Sequence, residues 1–563
     1  MTWLRIAIFV VALVLFPQNA VLAQHPLTDA KDLRWINYLA AEYPAQIERV
    51  VVDADHVQVI GKLTTKLALS LSLVELGPQH DSTLIPADGR RFPLQPTEAG
   101  NFSIQLPRFA AQRDRIYAKW VVVETATDKQ CSRAHAADDV AAAARHPDLP
   151  RLFPANKKGL NGIGLVHDLN DFVDLGVKNL AINVNLGSLV RLAGTPDCES
   201  IEYGDVRLAI WRPALEQLDE LLGFASRHEI VASAIILVPR LDRADPLGKL
   251  LTHPGADGGH YSLANVVEEE GCDAYAAVMR FLAARYCRPD AKYGRITHWI
   301  IHNEVDAAPE WTSAGPLSPL GYAEQYARSL RIAYYSARAF DPHAQVFASL
   351  THCWNEPHQP SPRYYRAREL LDLLIGLGAA EGDFSWGVAF HPYPQDLGNA
   401  RTWLDAQAIA SDDSPLVTFK NIEVLDRWVR RPENRSQGAP RTVLLSEQGF
   451  HSPDYSAASQ AVQAAALAYA WKKIERLETI EAMHYHRWID HEKEGGLKLG
   501  LWTVRAGTIT SAGEKKQAWR VFQALATPQQ AAAIQFALPI IGIDDWSEIV
   551  SAASSTENSG SGE

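Results

Sequence analysis

Residues 296–304 read Ile-Thr-His-Trp-Ile-Ile-His-Asn-Glu, a short apolar run that stops at a carboxylate. A predicted amphipathic helix follows over residues 320–340, and four residues separate it from the next apolar run, residues 345–352. A strand, a helix and a second strand in this order indicate parallel pairing through a helical crossover. This stretch therefore predicts an α/β fold with a parallel sheet.

The same alternation of strand and helix continues in both directions along the chain. Eight such units close into a (β/α)₈ TIM barrel, which we predict for residues 160–526. The predicted strands are 162–166, 180–185, 231–238, 296–304, 345–352, 385–391, 442–447 and 480–488. The predicted helices include 320–340, 363–377, 419–431, 456–477 and 513–526.

The extra length of the predicted barrel lies in the segments that lead from a strand to the next helix. The long ones are residues 186–210, 239–271, 392–418 and 489–512. In a parallel barrel these segments lie at the carboxyl end of the strands, where barrel active sites are found. Their lengths favour a walled cleft at that end. Insertions without a function are the alternative.

The chain before the predicted barrel has a different pattern. Residues 1–23 have the positive start, apolar stretch and small residues of a signal peptide, with cleavage predicted after Ala23. We therefore expect a secreted or periplasmic protein without membrane insertion after cleavage, and an uncleaved anchor is the alternative. Residues 24–45 predict a tether with a short helix, residues 46–125 a small all-β sandwich, and residues 126–160 a linker.

Composition narrows the class of protein. Apolar residues make up 47% and charged residues 21%, as in globular proteins. The net charge of −12 and the pI near 5.9 argue against a nucleic-acid-binding protein, which needs a basic face. Residues 527–553 predict a C-terminal extension, and the Ser- and Gly-rich residues 554–563 a disordered tail.

The five cysteines are Cys131, Cys198, Cys272, Cys287 and Cys353, an odd number that leaves at least one unpaired within the chain. A bridge between Cys198 and Cys272 is compatible with their predicted position in loops on one face. The C-x-x-C spacing of a zinc ribbon does not occur in the sequence. The oligomeric state is not decided by the sequence.

The fourth and seventh predicted strands both end at a glutamate, Glu304 and Glu447. Their spacing matches three βα units, so both side chains are predicted at the same end of the barrel. Glycoside cleavage needs two carboxyl groups, one protonated to donate to the leaving oxygen and one ionised to attack the anomeric carbon. A structural role at the strand ends is the alternative for both glutamates.

Asn303-Glu304 after the fourth strand and Glu447 after the seventh resemble clan A of the retaining glycoside hydrolases, over about residues 160–525. The resemblance implies that Glu304 is the acid/base, Glu447 the nucleophile and Asn303 a ligand of the sugar 2-hydroxyl. The small β domain, the barrel and its His-Asn-Glu and Ser-Glu-Gln-Gly motifs also resemble a bacterial family catalogued as domain of unknown function 5722. Enzymes of the clan often have an arginine on strand 2 and a histidine on strand 3, and this sequence has neither. The resemblance therefore does not predict which sugar is bound.

Other side chains at the predicted strand ends are candidate substrate ligands. By the resemblance, His391 or Tyr393 after the sixth strand holds Glu447 ionised, and a buried histidine bonded to backbone is the alternative for His391. By the same resemblance, the Trp488 ring after the eighth strand is expected to form the bottom of the subsite next to the cleaved bond, with Trp502 as the alternative. The remaining candidates are polar or aromatic residues at other strand ends, namely His352, Trp354, Asn185, Arg240 and His486, and Trp311 is a further aromatic wall.

No metal or cofactor is expected. His484, His486, Asp490 and His491 lie close in the sequence, but an H-E-x-x-H motif does not occur. Asp306 and Glu310 suit a calcium site or a solvated loop. A phosphate-binding glycine loop and the G-x-S-x-G of serine hydrolases are also missing.

The combined expectation is a secreted retaining glycoside hydrolase that cleaves a poly- or oligosaccharide by double displacement. A non-catalytic carbohydrate-binding barrel is the alternative. A scaffold or adhesion protein that works through residues 46–125 is a third interpretation.

Overall fold

The structure, a computed structural model, describes residues 30–65, 70–162 and 168–550 of the chain. The predicted signal peptide and the predicted disordered tail lie outside these residues, as does most of the first predicted strand. The helix predicted within the tether is α1, Ala30–Ala40.

Two antiparallel sheets precede the barrel. One has the strand order β1-β2-β5 and the other β4-β3-β8-β9, while β6 and β7 form a separate hairpin. Val57 and Val59 of the first sheet and Leu73 and Val122 of the second are fully buried in one core, because alternate residues of each strand point inward. The strands are β1 Ala45–Val52, β2 His56–Leu63, β3 Leu71–Leu76, β4 Arg90–Leu94, β5 Asn101–Pro107, β6 Phe109–Ala110, β7 Arg113–Asp114, β8 Lys119–Glu124 and β9 His135–Ala136. Strand β9 lies in the stretch that the sequence predicts as a linker.

The predicted barrel is confirmed. Eight strands close it, each parallel to its neighbours. They are β10 Lys158–Leu160, β11 Asn179–Asn185, β15 Val231–Leu237, β16 Ile296–Ile301, β17 Gln345–Thr351, β18 Trp386–His391, β19 Val443–Gln448 and β20 Ile480–Tyr485. An antiparallel sheet of β12 Val190–Leu192, β13 Cys198–Tyr203 and β14 Val206–Trp211 is inserted after β11.

The first barrel strand differs from the prediction, which placed it at residues 162–166. Leu160 pairs with Leu180 on one side and with Tyr485 on the other, so the strand that closes the barrel is β10. Gly162 then has a φ of +70°, a conformation that ends an extended strand and that glycine adopts without strain.

The helices lie between the strands. Helix α8 begins after Ser318, whose hydroxyl accepts a hydrogen bond from the Gly321 N–H, and it has proline at its first position. Helix α8 spans Pro319–Arg338. The other helices after α1 are α2 Asn170–Asp174, α3 Leu186–Leu189, α4 Arg212–Arg227, α5 Pro246–Leu251, α6 Glu269–Tyr286, α7 Ala308–Trp311, α9 Ala367–Glu381, α10 Glu423–Arg430, α11 Ala457–Ile474, α12 Gln517–Ala524, α13 Gln530–Ile534, α14 Ala537–Ile541 and α15 Ser547–Val550. The predicted helix 419–431 is divided into a 3₁₀ turn, Phe419–Asn421, and α10. The first residues of the predicted helix 513–526 belong to a hairpin of β21 Trp502–Val504 and β22 Ala512–Lys515.

The barrel interior is filled with side chains rather than open as a pore, as in other barrels of this type. Its central cluster consists of Ala181, Ile235, Leu237, Ile300, Phe347, Ala389, Leu444 and Ala482, all at most 4% exposed. A substrate is therefore restricted to the mouth of the barrel.

The bridge between Cys198 and Cys272 is not formed. Cys272 is buried in α6 rather than in a loop, Cys198 begins strand β13, and all five cysteines are free. Among the described residues, no helix combines the length and the apolar character that a membrane span requires.

Candidate active site

Glu304 lies just beyond the carboxyl end of β16, where the chain turns sharply. His302 and Glu304 have φ values of +63° and +38°, a region that non-glycine residues adopt at a cost of about 1–3 kcal/mol. The turn is held by β17, since the Ser349 hydroxyl accepts from the Glu304 N–H at 3.0 Å and the Ser349 carbonyl from the Val305 N–H at 3.0 Å. The Glu304 side chain is thereby fixed at the barrel mouth.

His391, the last residue of β18, connects the two halves of the site. Its Nδ1 lies 2.8 Å from Glu304 Oε1, and its Nε2 lies 3.0 Å from the hydroxyl of Ser446, the neighbour of Glu447. The imidazole is fully buried. His391 thus contacts Glu304, not Glu447 as the resemblance implied, and it is bonded to side chains rather than to backbone.

The charge of His391 is set by opposing effects. Burial lowers the pKa of its imidazole, but the hydrogen bond to Glu304 and the charges of Glu304, Glu447 and Asp306 outweigh burial and raise that pKa above its usual value. The pair of His391 and Glu304 therefore holds a proton at neutral pH more readily than an isolated histidine would.

Tyr393 is the residue that contacts Glu447. Its hydroxyl donates to Glu447 Oε1 at 3.0 Å. Burial and the charges of Glu447 and Glu304 raise the pKa of this phenol well above its usual value, so it stays protonated and donates.

Asp306 is a third carboxyl group beneath the site, and it is neither a calcium ligand nor part of a solvated loop. It is fully buried and accepts hydrogen bonds from the Thr351 N–H at 2.9 Å and hydroxyl at 2.5 Å. Burial, partly offset by these bonds, raises its pKa to about 7. Its position two residues after Glu304 was visible in the sequence, but its burial was not.

Asn303 and His302 diverge from Glu304. His302 points away from the barrel axis and lies 2.8 Å from the Ser329 hydroxyl on α8. Asn303 is 4% exposed, and its amide bonds to no side chain or backbone group within the described part of the chain.

A cluster of opposite charges follows β20. Glu494 Oε1 lies 2.6 Å from His486 Nε2, and Glu494 Oε2 accepts from Arg487 at 3.2 Å. Burial opposes the charge of Glu494, but these two partners lower its pKa to about 2. The His486 N–H donates to the carbonyl of Gln448, the neighbour of Glu447, at 2.7 Å, so the cluster lies beside the end of β19. Glu494 was not predicted, because it lies in a loop without a strand-end signal.

Trp488 and Trp502 do not floor the site. The Trp488 and Trp502 indoles donate to Asp171 Oδ2 at 2.7 and 2.8 Å, and the Trp519 indole contacts the same carboxylate. Trp488 is only 2% exposed and packs on Phe172. These tryptophans tie the region after β20 to helices outside the barrel.

Two further aromatic candidates follow β17. Trp354 is 1% exposed and packs edge-on against Phe390 and Trp428 in the core, so it is not a substrate wall. His352 is largely buried, and burial lowers its pKa to about 4, which keeps it neutral.

The polar candidates from strands 2 and 3 have structural partners. Asn185 caps α3 by accepting from the Gly187 N–H at 2.9 Å, and it borders a groove together with Asn183 and Arg487. Arg240 is exposed and donates to the Gly259 carbonyl within its own loop. The structure therefore brings His391 to Glu304 and Tyr393 to Glu447, while the side chain of His486 contacts Glu494. Arg240, Trp354, Trp488 and Trp502 have other partners.

The histidines after β20 do not form a metal centre. Asp490 forms an ion pair with Lys516 at 2.8 Å, and His484 is buried inside the barrel. Over the described ranges, no three His, Cys, Asp or Glu side chains are grouped as metal ligands.

The model of a family of unknown function, DUF5722, matches residues 152–549, which cover the whole barrel and most of the chain. No curated protein matches the sequence.

The structure is similar to several solved structures at low identity. A family 39 glycoside hydrolase from Bacteroides cellulosilyticus WH2 is 13% identical over 86% of this chain and 83% of that chain, with a TM-score of 0.45. An exo-β-1,4-mannosidase from Opitutaceae bacterium strain TAV5 is 15% identical over 69% of this chain and 62% of that chain, with a TM-score of 0.37. A β-glucuronidase from Ruminococcus gnavus is 13% identical over 86% and 69%, with a TM-score of 0.35. Likenesses at this level carry no information about activity or substrate.

Proposed function

We propose that this chain, which belongs to the family of unknown function DUF5722, is a glycoside hydrolase that acts on a poly- or oligosaccharide. The proposal is carried by two glutamates at one end of a closed barrel, each with its own partner at or just beyond the end of β18. His391 contacts Glu304, and Tyr393 contacts Glu447. Glycoside cleavage needs this combination of two carboxyl groups in different surroundings.

The partners suggest which glutamate has which role. A phenol that donates to Glu447 suits an ionised carboxylate, as a nucleophile must be. The imidazole beside Glu304 can exchange a proton with it, as a general acid and base requires. We therefore assign the nucleophile to Glu447 and the acid/base to Glu304.

The reaction would proceed by double displacement. A Glu447 oxygen forms a bond to the anomeric carbon while the bond to the leaving oxygen breaks, and Glu304 gives its proton to that oxygen. Water then attacks the anomeric carbon, Glu304 takes a proton from the water, and the bond to Glu447 breaks. Two inversions leave the anomeric configuration retained.

We also propose that the enzyme acts outside the cytoplasm, since residues 1–23 have the composition of a cleaved signal peptide. N-terminal sequencing of the protein recovered from the periplasm or medium of its native host should begin at Gln24. A mature chain that begins at Met1 would contradict export by cleavage.

The activity is tested by neutralising each glutamate in turn. Glu447→Gln keeps the size of the side chain but removes the nucleophilic charge, so turnover of any accepted glycoside should fall by about 10⁴-fold or more. Glu304→Ala should lose kcat/KM for substrates with poor leaving groups and retain kcat/KM for 2,4-dinitrophenyl glycosides, which leave without a proton. The kcat for both should fall, because no base then activates the attacking water. Glu433→Gln, an exposed glutamate on the surface, is the matched control.

Product configuration, followed by NMR during hydrolysis, tests the retaining mechanism separately. Normal turnover by Glu447→Gln would refute the assigned role. Glycan binding without any product from the wild type would favour the non-catalytic barrel.

A further inference from the structure

Tyr261 and Trp311 form a stacked pair of aromatic rings that the mechanism above does not use. Their ring centroids are 5.2 Å apart and their planes differ by 20°. Both side chains are partly exposed. Tyr261 belongs to the long segment between β15 and α6, and Trp311 ends the short helix α7 after β16.

The position of Tyr261 is fixed at the barrel mouth. Its backbone forms a bridge with Pro239, two residues beyond the end of β15. Its ring packs against the apolar cluster that fills the barrel, which includes Leu237 and Ile300. A ring that covers this cluster at the carboxyl end of the strands lies at the entrance to the candidate site.

Trp311 is attached to the turn that carries Glu304. The Ala307 N–H donates to the Glu304 carbonyl at 2.8 Å, and the Trp311 N–H donates to the Ala307 carbonyl at 3.3 Å. The next residue, Thr312, is fully buried and lies 2.5 Å from the Tyr322 hydroxyl. The indole is therefore held on the same side of the mouth as Glu304, at a fixed separation along the chain.

The indole N–H of Trp311 differs from those after β20. Trp488, Trp502 and Trp519 all donate to Asp171. The Trp311 indole N–H has no acceptor among the described residues, and it is not sealed from solvent. It can donate to a ligand hydroxyl while the ring offers an apolar face, which is the combination that suits aromatic rings at binding sites.

We propose that Tyr261 and Trp311 form a platform for the sugar unit on the leaving-group side of the cleaved bond. This inference rests on the proposed function, because Glu304 as the acid must lie next to the leaving oxygen. The part of the substrate beyond that oxygen then extends over loops that follow β15 and β16. The substrate class is accordingly a glycan with at least one further sugar ring after the cleaved bond, rather than a glycoside of a small alcohol.

The test compares substrates that do and do not have a sugar as the leaving group. Xylo-, manno-, cello- and galacto-oligosaccharides of two to six units are compared with the α- and β-glycosyl fluorides of the same sugars. Fluoride is a single atom that leaves without a platform. Trp311→Ala should lower kcat/KM for the cleaved oligosaccharide by about tenfold or more, mainly through KM, and change fluoride turnover by less than about twofold.

Two variants serve as controls. Trp311→Phe keeps an aromatic face and should retain most of the oligosaccharide activity. Phe109→Ala removes an aromatic side chain that is 55% exposed on the hairpin before the barrel, and it should change neither activity. If Trp311→Ala lowers the activity on oligosaccharides and on fluorides equally, or lowers neither, the proposed platform is wrong.

The platform can also be tested if the protein does not hydrolyse glycosides. If the wild type hydrolyses neither the glycosyl fluorides nor the oligosaccharides, the proposed function is wrong. The platform is then tested by measuring the binding of oligosaccharides. Calorimetric titration of the same oligosaccharides into Glu447→Gln, with and without Trp311→Ala, should then show binding weakened by about tenfold or more. Equal binding, or no binding by either protein, would overturn the platform.

Discussion

His391 is a fully buried imidazole with a different partner at each ring nitrogen, Glu304 and Ser446. Because Ser446 fixes the orientation of the ring, Nδ1 is directed at the glutamate that we assign as the acid. The group that donates the proton is therefore the pair of His391 and Glu304 rather than Glu304 alone. A proton on the imidazole can therefore pass to Glu304 through the hydrogen bond between them.

Removal of His391 should change the pH profile of the enzyme. The pKa of His391 is raised above its usual value of 6.5, so the pair keeps its proton into the neutral range and loses it as the pH rises further. In His391→Gln, Glu304 loses the imidazole from which it receives a proton, so the alkaline limb of kcat/KM should move to lower pH. Substrates with 2,4-dinitrophenol as leaving group should be much less affected. An alkaline limb that stays in place would contradict the shared proton.

The sequence predicted Tyr393 as a site residue but did not decide whether it or His391 contacts Glu447. His391 and Tyr393 were both predictable as site residues, because they follow an apolar strand in a barrel. Which of them contacts which glutamate depends on alternation, since residues two apart in an extended strand point to the same side, and on the turn where the strand ends. The proline between them, Pro392, ends the regular strand, so the two side chains reach different carboxylates.

At the scale of elements, strand ends were predictable and loops were not. Glu304 and Glu447 were found because a short continuous apolar run ends just before each of them. Trp488 and Trp502 lie in the long segment after β20, whose path is set by tertiary contacts with Asp171 rather than by local pattern. The predicted strand 480–488 ends at Tyr485 for the same reason, since Arg487 and Trp488 already bond to the loop that follows.

Asp171 provides a prediction at this scale. Its carboxylate accepts from the indoles of Trp488, Trp502 and Trp519, and it is 8% exposed. In Asp171→Asn one oxygen becomes an N–H₂ group, which cannot accept from an indole and leaves donors unpaired in the core. The free energy of unfolding should fall by about 2–4 kcal/mol, measured from the denaturant midpoint and slope.

Asp168→Asn is the comparison for Asp171→Asn. Asp168 is exposed and accepts from the backbone of Asn170, so an amide can replace its carboxylate at little cost. If the free energy of unfolding falls by less than about 0.5 kcal/mol in Asp171→Asn, the packing of the three indoles does not depend on the carboxylate charge.

At the scale of the whole molecule, the two N-terminal sheets and the barrel share contacts that a mobile accessory module would not have. Tyr117 bonds to Ser336 on α8 at 2.8 Å, and Tyr335 of the same helix donates to the Ala137 carbonyl at 2.6 Å. Arg113 of β7 donates to Asp273 on α6 at 2.8 Å. The sequence separated these parts because their periodicities differ, but periodicity does not show how two parts pack together.

The joint unfolding of sheets and barrel can be tested at Glu381, which ends α9. Glu381 accepts from the Tyr38 hydroxyl at 2.9 Å and lies 3.7 Å from the Lys119 ammonium group of β8, and both charged residues are 6% exposed. Burial lowers the pKa of Lys119, and the charge of Glu381 opposes that effect. Glu381→Ala leaves a buried cation without its counter-charge, so the free energy of unfolding should fall by about 3 kcal/mol.

Because the contact joins the sheets to the barrel, far-ultraviolet circular dichroism and tryptophan fluorescence should report one common midpoint, shifted equally by Glu381→Ala. Glu356→Ala removes an exposed glutamate and should leave the midpoint in place. Two separate midpoints in the wild type, with only the earlier one moved by Glu381→Ala, would mean that the sheets unfold independently. In that case the N-terminal region would be an attached module, and the barrel mouth would be stabilised by the barrel alone.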